Sequence, residues 1–500
     1  MLGHIKLAVK DTFIYSLGNI STKLIGLVLL PLYTRELTIA EYGILGTIEI
    51  TIQLLIATFS LSLSSALNRW YWDQQYRNKQ DSIFFTTITT LVIFAGLMLL
   101  VFLPLAGKMS LILFDSRGYA RLFKLLLFSA AFQVVSRGIL SLMRLKRKPL
   151  WFTTTNIIKL LITLGLTIYL IVHLDRGLEG IIEAQIVGFI SFILINLRFL
   201  STNMAFVFEK KIFREMIIFS YPLAISSISS VLLIVADRYV VRYISGMGAM
   251  GLYSVAFKIA NVLKVFVINS LSSALLPLKF QMMNQPRNRE FYSKIMTYTV
   301  FGFIFFLLGL SLFSKEILRL MAQNPKYWIA YQIVPFLCFA QLFEMMRMNV
   351  NLGLIIQKKT RIISVILILV SILSIGLNIL FVSLLGYKGA AISTILAQGI
   401  FFGLVYYYAQ KHYYVPYELS RLVKLFVVSA VIIVISFTVL NPIQIIPRVI
   451  LKFSLIILFP FILRFLKFYE AIELLRLRES WHKWKNPKNW KRNLNNIKFN

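Results

Sequence analysis

Apolar runs of about twenty residues recur along the chain from Thr12 to Lys467, each long enough to cross a hydrocarbon core of roughly 30 Å as a helix. Backbone N–H and C=O groups in lipid must be satisfied within the segment, so the runs are read as helices. A transmembrane barrel would show alternating stretches of about ten residues, and none appear. With 58% hydrophobic content over 500 residues, the chain carries more apolar surface than one soluble core could hide. The expected fold class is all-α, a polytopic membrane protein. About 14 spans are placed, at 12–33, 44–67, 82–104, 119–142, 149–173, 177–200, 214–236, 249–276, 294–314, 327–357, 362–385, 388–410, 419–440 and 445–467.

The chain has 53 Lys and Arg against 20 Asp and Glu, a balance that nucleic-acid binders share. Here the basic residues punctuate the hydrophobic runs, so they are topology signals and no nucleic-acid partner is expected. With the N-terminus inside, "RLKRK" (144–148), "EKKIFR" (209–214), "QPRNRE" (285–290), "QKKTR" (357–361) and the tail all fall on one side. That is the cytoplasmic excess of the positive-inside rule, and it puts both termini in the cytoplasm. The first run has no small-residue cleavage site and is read as an uncleaved helix. A single cysteine, Cys338, leaves the redox compartment open.

An internal repeat emerges when the second half is laid on the first with a shift of about 210 residues. Gly177 and Gly180 before the sixth span match Gly386 and Gly389 before the twelfth. "EYGILGTIEI" resembles "GLYSVAFKIA", with Tyr42 on Tyr253, and Arg137 falls on Arg347. Six helices per unit is an even number, so the two units share one orientation and are related by an axis along the membrane normal. Transporters use such parallel repeats, with the substrate between them. The expected organisation is an N-terminal lobe (1–205, helices one to six), a C-terminal lobe (206–412, helices seven to twelve), a helix pair (413–467) and a basic cytoplasmic tail (468–500).

The stretches "IGLVLLPLYTRELTIAEYGIL" (25–45) and "YPLAISSISSVLLIVADRYVVRYISGMGAMGLYSVAFKIA" (221–260) resemble the polysaccharide flippases, of O-antigen or capsule type, in the multidrug/oligosaccharidyl-lipid/polysaccharide exporter superfamily. The resemblance covers helices one to twelve. It implies a V-shaped pair of six-helix lobes that moves a lipid-linked oligosaccharide across the bacterial inner membrane. It also implies cationic residues in the central cavity, suited to a diphosphate headgroup.

Basic residues do stand inside the spans: Lys23, Arg137, Lys159, Lys258, Lys264, Arg347 and Lys452. Each would cost roughly 2.5–3.5 kcal/mol facing lipid at mid-membrane, so several together point inward. Polar stripes accompany them at helical spacing: Tyr15, Ser16, Asn19, Lys23 and Gly26; Glu49, Gln53, Ser60 and Ser64; Ser129, Gln133, Arg137 and Ser141; Asn156, Lys159, Thr163 and Thr167; Lys258, Asn261, Asn269 and Ser272. A polar cavity of net positive charge favours an anionic headgroup, which arginine holds through a planar fork and lysine as a mobile point charge. The headgroup and cavity residues are taken to be Lys23, Arg137, Lys159, Lys258, Arg347, Asn19 and Asn261, with Glu49 and Glu344 as coupling candidates. Blander readings stand beside these. Glu344 is one turn before Arg347 and could pair with it, Arg137 could snorkel to the surface, and Glu49 could simply neutralise Lys23. Asp237-Arg238 is read as an interfacial pair closing helix seven.

"GMGAMG" (246–251) follows a membrane helix rather than a strand, so it is no dinucleotide fingerprint. The four histidines lack metal spacing, and no nucleophile–base set is placed for catalysis. No enzyme activity, metal or cofactor is expected. The leading function is a flippase for undecaprenyl-diphosphate-linked oligosaccharide, working by alternating access. A drug/cation antiporter of the same superfamily would favour an acidic cavity. A membrane oligosaccharide polymerase or ligase would need a sizeable external loop, and a scaffold would not need the polar stripes. Expected partners are the lipid-linked oligosaccharide, anionic lipids of the inner leaflet under the Trp- and Lys-rich tail, and polysaccharide polymerase machinery. The working state is expected to be a monomer.

Overall fold

The structure, a computed structural model, describes residues 25–440 and 442–475. Asn19, Lys23, the first span's start and the tail beyond Leu475 lie outside the described residues. Among the described residues there is no strand, and twelve helices are long and apolar enough to cross a membrane. The first half holds α1 (Leu30–Glu36), α2 (Ile39–Phe59), α3 (Leu63–Trp70), α4 (Gln80–Phe102), α5 (Ala106–Phe114), α6 (Ala120–Leu145), α7 (Pro149–Val172) and α8 (Gly177–Ile195). Then come α9 (Lys210–Leu263), α10 (Asn269–Gln281), α11 (Asn288–Leu312), α12 (Ser314–Met321), α13 (Val334–Ile356), α14 (Thr360–Leu385), α15 (Tyr387–His412), α16 (Leu419–Ile435) and α17 (Ile445–Phe465).

Local chemistry moves some boundaries from the expected ones. The Thr38 side chain accepts from the Glu41 N–H while the Glu41 carboxylate accepts from the Thr38 N–H, a capping box that starts α2 at Ile39 rather than 44. The same helix stops at Phe59 rather than 67. Leu61 and Ser62 take φ of 44° and 52°, a left-handed corner that a right-handed helix cannot pass.

The link expected between spans seven and eight shrinks to one residue. Gly246 has φ 84° and ψ 177°, a conformation open essentially to glycine. The Tyr253 hydroxyl donates to Asp237 Oδ2 at 2.6 Å across sixteen positions, which a straight helix would hold about 24 Å apart. So α9 is a hairpin: one limb runs to Ser245, and the second (Met247–Leu263) returns alongside it. Asp237 and Arg238 therefore do not close helix seven at the surface, as the sequence reading had it. Both are buried within the first limb.

The second limb of α9 lies against α2. A Cβ on Gly43 would sit 2.0 Å from Met247 O, one on Gly46 2.3 Å from Ser254 Oγ, and one on Gly251 2.1 Å from Ile39 O. These small residues bring the two backbones into contact. Further along, Glu49 meets Lys258. Contact positions rise together along both helices, so the two run parallel. Two further triplets pack closely: α6, α7 and α8 pack mutually, and so do α13, α14 and α15. Leu369, Ile372, Ile379, Leu380 and Leu384 stand exposed along α14, a face suited to lipid.

The described chain packs as two compact units. One runs to Tyr292 and resumes over Ser314–Val415; it contains the hairpin and both helix triplets. The other contains Ser293–Phe313 and the described residues from Pro416 onward.

Candidate functional site

Two ion pairs stand on the returning limb of α9 and its continuation. Lys258 Nζ lies 2.8 Å from Glu49 Oε1, with the rings of Tyr42 and Tyr33 at 5.0 and 5.8 Å from the ammonium. A Cβ on Gly26 would stand 3.7 Å from the same Nζ, so the first helix closes over the lysine. Glu49 is two turns beyond Tyr42 on α2, which places carboxylate and ring on one face. Among the described residues Glu49 pairs with Lys258; its alternative partner, Lys23, lies outside them.

One and a half turns on, Lys264 opens a five-residue π segment, Lys264–Ile268, and its Nζ lies 2.7 Å from Glu344 Oε1 on α13. Such a segment inserts a residue and is frequent at functional sites. Glu344 therefore pairs across 80 residues of chain rather than with Arg347 one turn away. The Arg347 guanidinium turns instead to α15, 4.1 Å from the centre of the Phe401 ring. Its Nε is buried and has no hydrogen-bond partner among the described residues. Asn261 is half-buried, one turn past Lys258.

Arg137 is exposed on α6, and no carboxylate pairs with it among the described residues. On the same stripe Gln133 donates to Ser129 Oγ at 3.1 Å. Lys159 has a different setting. It is buried in α7, its ammonium 3.2 Å from Asn156 Oδ1 and 4.7 and 5.2 Å from the Phe189 and Phe192 rings of α8. Asn156, Thr163 and Thr167 are buried with it, and a Cβ on Gly188 of α8 would meet Thr163 Oγ1 at 2.1 Å. The α7 stripe is thus helix packing rather than the wet lining expected of it. Lys452 is fully buried in the second unit, facing the Phe313 ring at 6.0 Å.

Sequence reasoning missed two polar clusters in the first unit. Asp237 accepts from Tyr253 and, at 3.4 Å, from Thr394, while Arg238 covers the Phe257 ring at 4.1 Å. Lys279 donates to Asn349 Oδ1 at 2.8 Å. Tyr253 was visible as the repeat mate of Tyr42, but its partners come from distant helices. The second unit has its own network. Lys294 bridges Glu418 at 2.7 Å and Glu470, and Arg421 reaches Glu473 at 3.0 Å. Burial raises the Glu473 carboxyl, but hydrogen bonds from Tyr298, the Glu470 N–H and Arg421 overcome it and hold the group down at about 2.

The electrostatic result in the first unit is uneven compensation. Lys258 and Lys264 carry carboxylate partners; Arg137, Lys159 and Arg347 have none within ion-pair distance among the described residues. Among the described residues no cluster of His, Cys, Asp or Glu could hold a metal ion.

The family model described as "Polysaccharide biosynthesis protein" matches residues 8–283, and a second, MatE, matches 222–380. An uncharacterized membrane protein of Haemophilus influenzae is 24% identical over 283 residues, 55% of this chain and 66% of its own length, just under two thirds. Two solved structures share the fold. The lipid II flippase MurJ, in an inward closed conformation, has a TM-score of 0.71 at 16% identity, covering 91% of this chain and 99% of MurJ. A multidrug resistance MATE family transporter of the MOP superfamily, inward-facing, has a TM-score of 0.63 at 14% identity, covering 81% and 97%.

Proposed function

We propose that this chain, which belongs to the polysaccharide biosynthesis protein family, is a flippase that carries undecaprenyl-diphosphate-linked oligosaccharide across the bacterial inner membrane by alternating access, for cell-surface polysaccharide synthesis. It is a transporter rather than an enzyme. The observation that carries the reading is the Lys258–Glu49 pair held between α2 and the returning limb of α9, with Lys264 on the continuation of that limb. A diphosphate satisfies Lys258 and Lys264 as their carboxylates do, and offers Arg137 and Arg347 the anionic oxygens they lack. Lys23, Asn19 and Asn261 extend the same polar set by sequence position, and the sugars follow along it.

Fourteen spans in two six-helix lobes and a C-terminal pair, both termini cytoplasmic, give the glycine crossing of Gly43, Gly46 and Gly251 a periplasmic position. Contact there closes the outer end, so the headgroup enters from the inner leaflet. The protein works as a monomer and hands its cargo to polysaccharide polymerase machinery. The MatE match and the multidrug transporter fold favour a second reading, a drug/cation antiporter, but its cationic substrates would meet uncompensated arginines.

The test is delivery of lipid-linked glycan in cells that depend on this chain, at matched abundance. Lys258→Ala and Arg137→Gln should each lower delivery at least tenfold. Full delivery by both removes the headgroup site.

A further inference from the structure

Two polar contacts between the halves of the chain are counterparts of one another. Arg242, on the first limb of α9, donates from Nε to Leu113 O at 3.0 Å and sets Nη2 2.8 Å from Asp115 Oδ1. Leu113 is in the last turn of α5, whose closing carbonyls have no partner inside the helix and form its negative dipole end, so a guanidinium answers both needs. Thr34, in α1, meets the end of α12 in a similar way. Its Oγ1 lies 3.5 Å from the carbonyl of Met321, the last residue of that helix, and accepts from the Gln323 N–H at 3.2 Å. Thr34 and Arg242 stand 208 positions apart (34 to 242), and so do Leu113 and Met321 (113 to 321). One displacement along the chain therefore converts either contact into the other: a residue just before each half's corner grips the end of the other half's short helix. Tyr327 completes the first grip, its buried hydroxyl donating to Leu37 O at 3.0 Å in the corner between α1 and α2. Both grips flank the glycine crossing, Leu37 two residues before α2 begins and Arg242 four before the Gly246 reversal.

We propose that these are reciprocal latches: each half of the chain hooks the other's short helix, and both hooks must let go before the end that holds the glycine crossing opens. In the alternating-access reading, on which this rests, they are what holds one state shut. The two latches differ in chemistry. Thr34 and Tyr327 are fully buried and neutral, so salt leaves their bonds alone. The Arg242 side chain is 3% exposed, but its carboxylate partner Asp115 is 72% exposed. Dissolved ions therefore screen the Arg242–Asp115 attraction, while the bond to Leu113 O persists. The result is one latch that responds to ionic strength and one that does not.

The experiment reads opening of that end on the purified full chain in detergent without substrate, so it depends neither on the cargo nor on which side of the membrane the end faces. With the buried Cys338 replaced by Ala, a cysteine at the buried Thr47, beside the crossing, reports opening by its rate of reaction with a maleimide. Tyr327→Phe deletes one hydroxyl; Arg242→Met deletes the charge and keeps apolar bulk. Each should raise the rate roughly twofold to tenfold, the population shift that loss of one hydrogen bond allows. In the double variant the two factors should multiply, since the latches share no partner. High salt should speed the reaction in wild type and in Tyr327→Phe, and not in Asp115→Asn. Unchanged rates in both Tyr327→Phe and Arg242→Met overturn the proposal and leave the headgroup site standing, because the delivery test of that site uses Lys258 and Arg137 and each test can fail alone. Should Arg242→Met fail to fold, Asp115→Asn, on an exposed side chain, takes its place: it should react faster than wild type at low salt and match it at high salt, and equal rates at both would remove the ionic latch.

Discussion

Gly43→Ala is the substitution whose consequence the structure fixes most closely. The added Cβ would stand 2.0 Å from Met247 O, a backbone atom, where ordinary contact begins at 3.4 Å. The helices must separate there by about 1.4 Å, because neither helical backbone can yield alone. Overpacking of this kind costs about 1–3 kcal/mol. Placed on one state of a two-state transporter, it shifts the balance roughly 5–150-fold toward the state with that end open. Thr47, fully buried one turn below and donating to Gly43 O at 2.9 Å, is the reporter. With the buried Cys338 replaced by Ala, Thr47→Cys should resist a membrane-impermeant maleimide in spheroplasts, and adding Gly43→Ala should make it react severalfold faster. Gly251→Ala, facing Ile39 O at 2.1 Å, should act in the same way. Unchanged labelling at matched abundance in both backgrounds would mean that this crossing does not close the outer end.

Lys159→Met should preserve glycan delivery, because the ammonium is packed against Phe189 and Phe192 and a thioether fills similar space; loss of delivery at normal abundance would return Lys159 to the cavity. Arg137→Lys and Arg347→Lys should each retain part of the delivery that the Gln variants lose, since charge survives without the planar fork; equal loss for Lys and Gln would contradict this. In the second unit, Glu473 is held at about 2, below the usual carboxylate value of about 4.3. A depressed carboxyl stabilises above its unfolded value and loses that contribution as pH falls through the folded one. Melting of the purified protein should therefore weaken between about pH 4.5 and 2, and less so in Glu473→Gln; identical acid profiles would exclude Glu473 as a contributor.

Hydropathy made the helices legible because lipid permits little else, and most expected spans fall within a few residues of the observed ones. The exceptions are backbone events. Leu61 and Ser62 turn left-handed without a glycine to announce it, and the Thr38–Glu41 capping box that starts α2 lies outside the apolar window. Gly246 was visible inside "GMGAMG", yet only the Tyr253–Asp237 bond shows that it alone reverses the chain. The charged residues within the helices could be read as types rather than as pairs. Glu344 has Arg347 at helical spacing, but Lys264 comes from 80 residues away, and Glu49 meets Lys258 across 209. Spacing within a helix carries no information about such partners. The burial of the α7 stripe was hidden for a related reason: Asn156, Lys159, Thr163 and Thr167 share a face, but periodicity does not say whether water or α8 covers it.

In the proposed function, Lys258 and the basic residues near it move an anionic lipid-linked sugar. The most direct measurement uses the purified chain in proteoliposomes with a fluorescent undecaprenyl-diphosphate-linked oligosaccharide, scored by how fast the label becomes accessible in the opposite leaflet. Transfer should run well above protein-free vesicles, be abolished by Lys258→Ala and be inhibited by excess pyrophosphate. Transfer at the protein-free rate, or efflux of a cationic drug that survives Lys258→Ala, would contradict it.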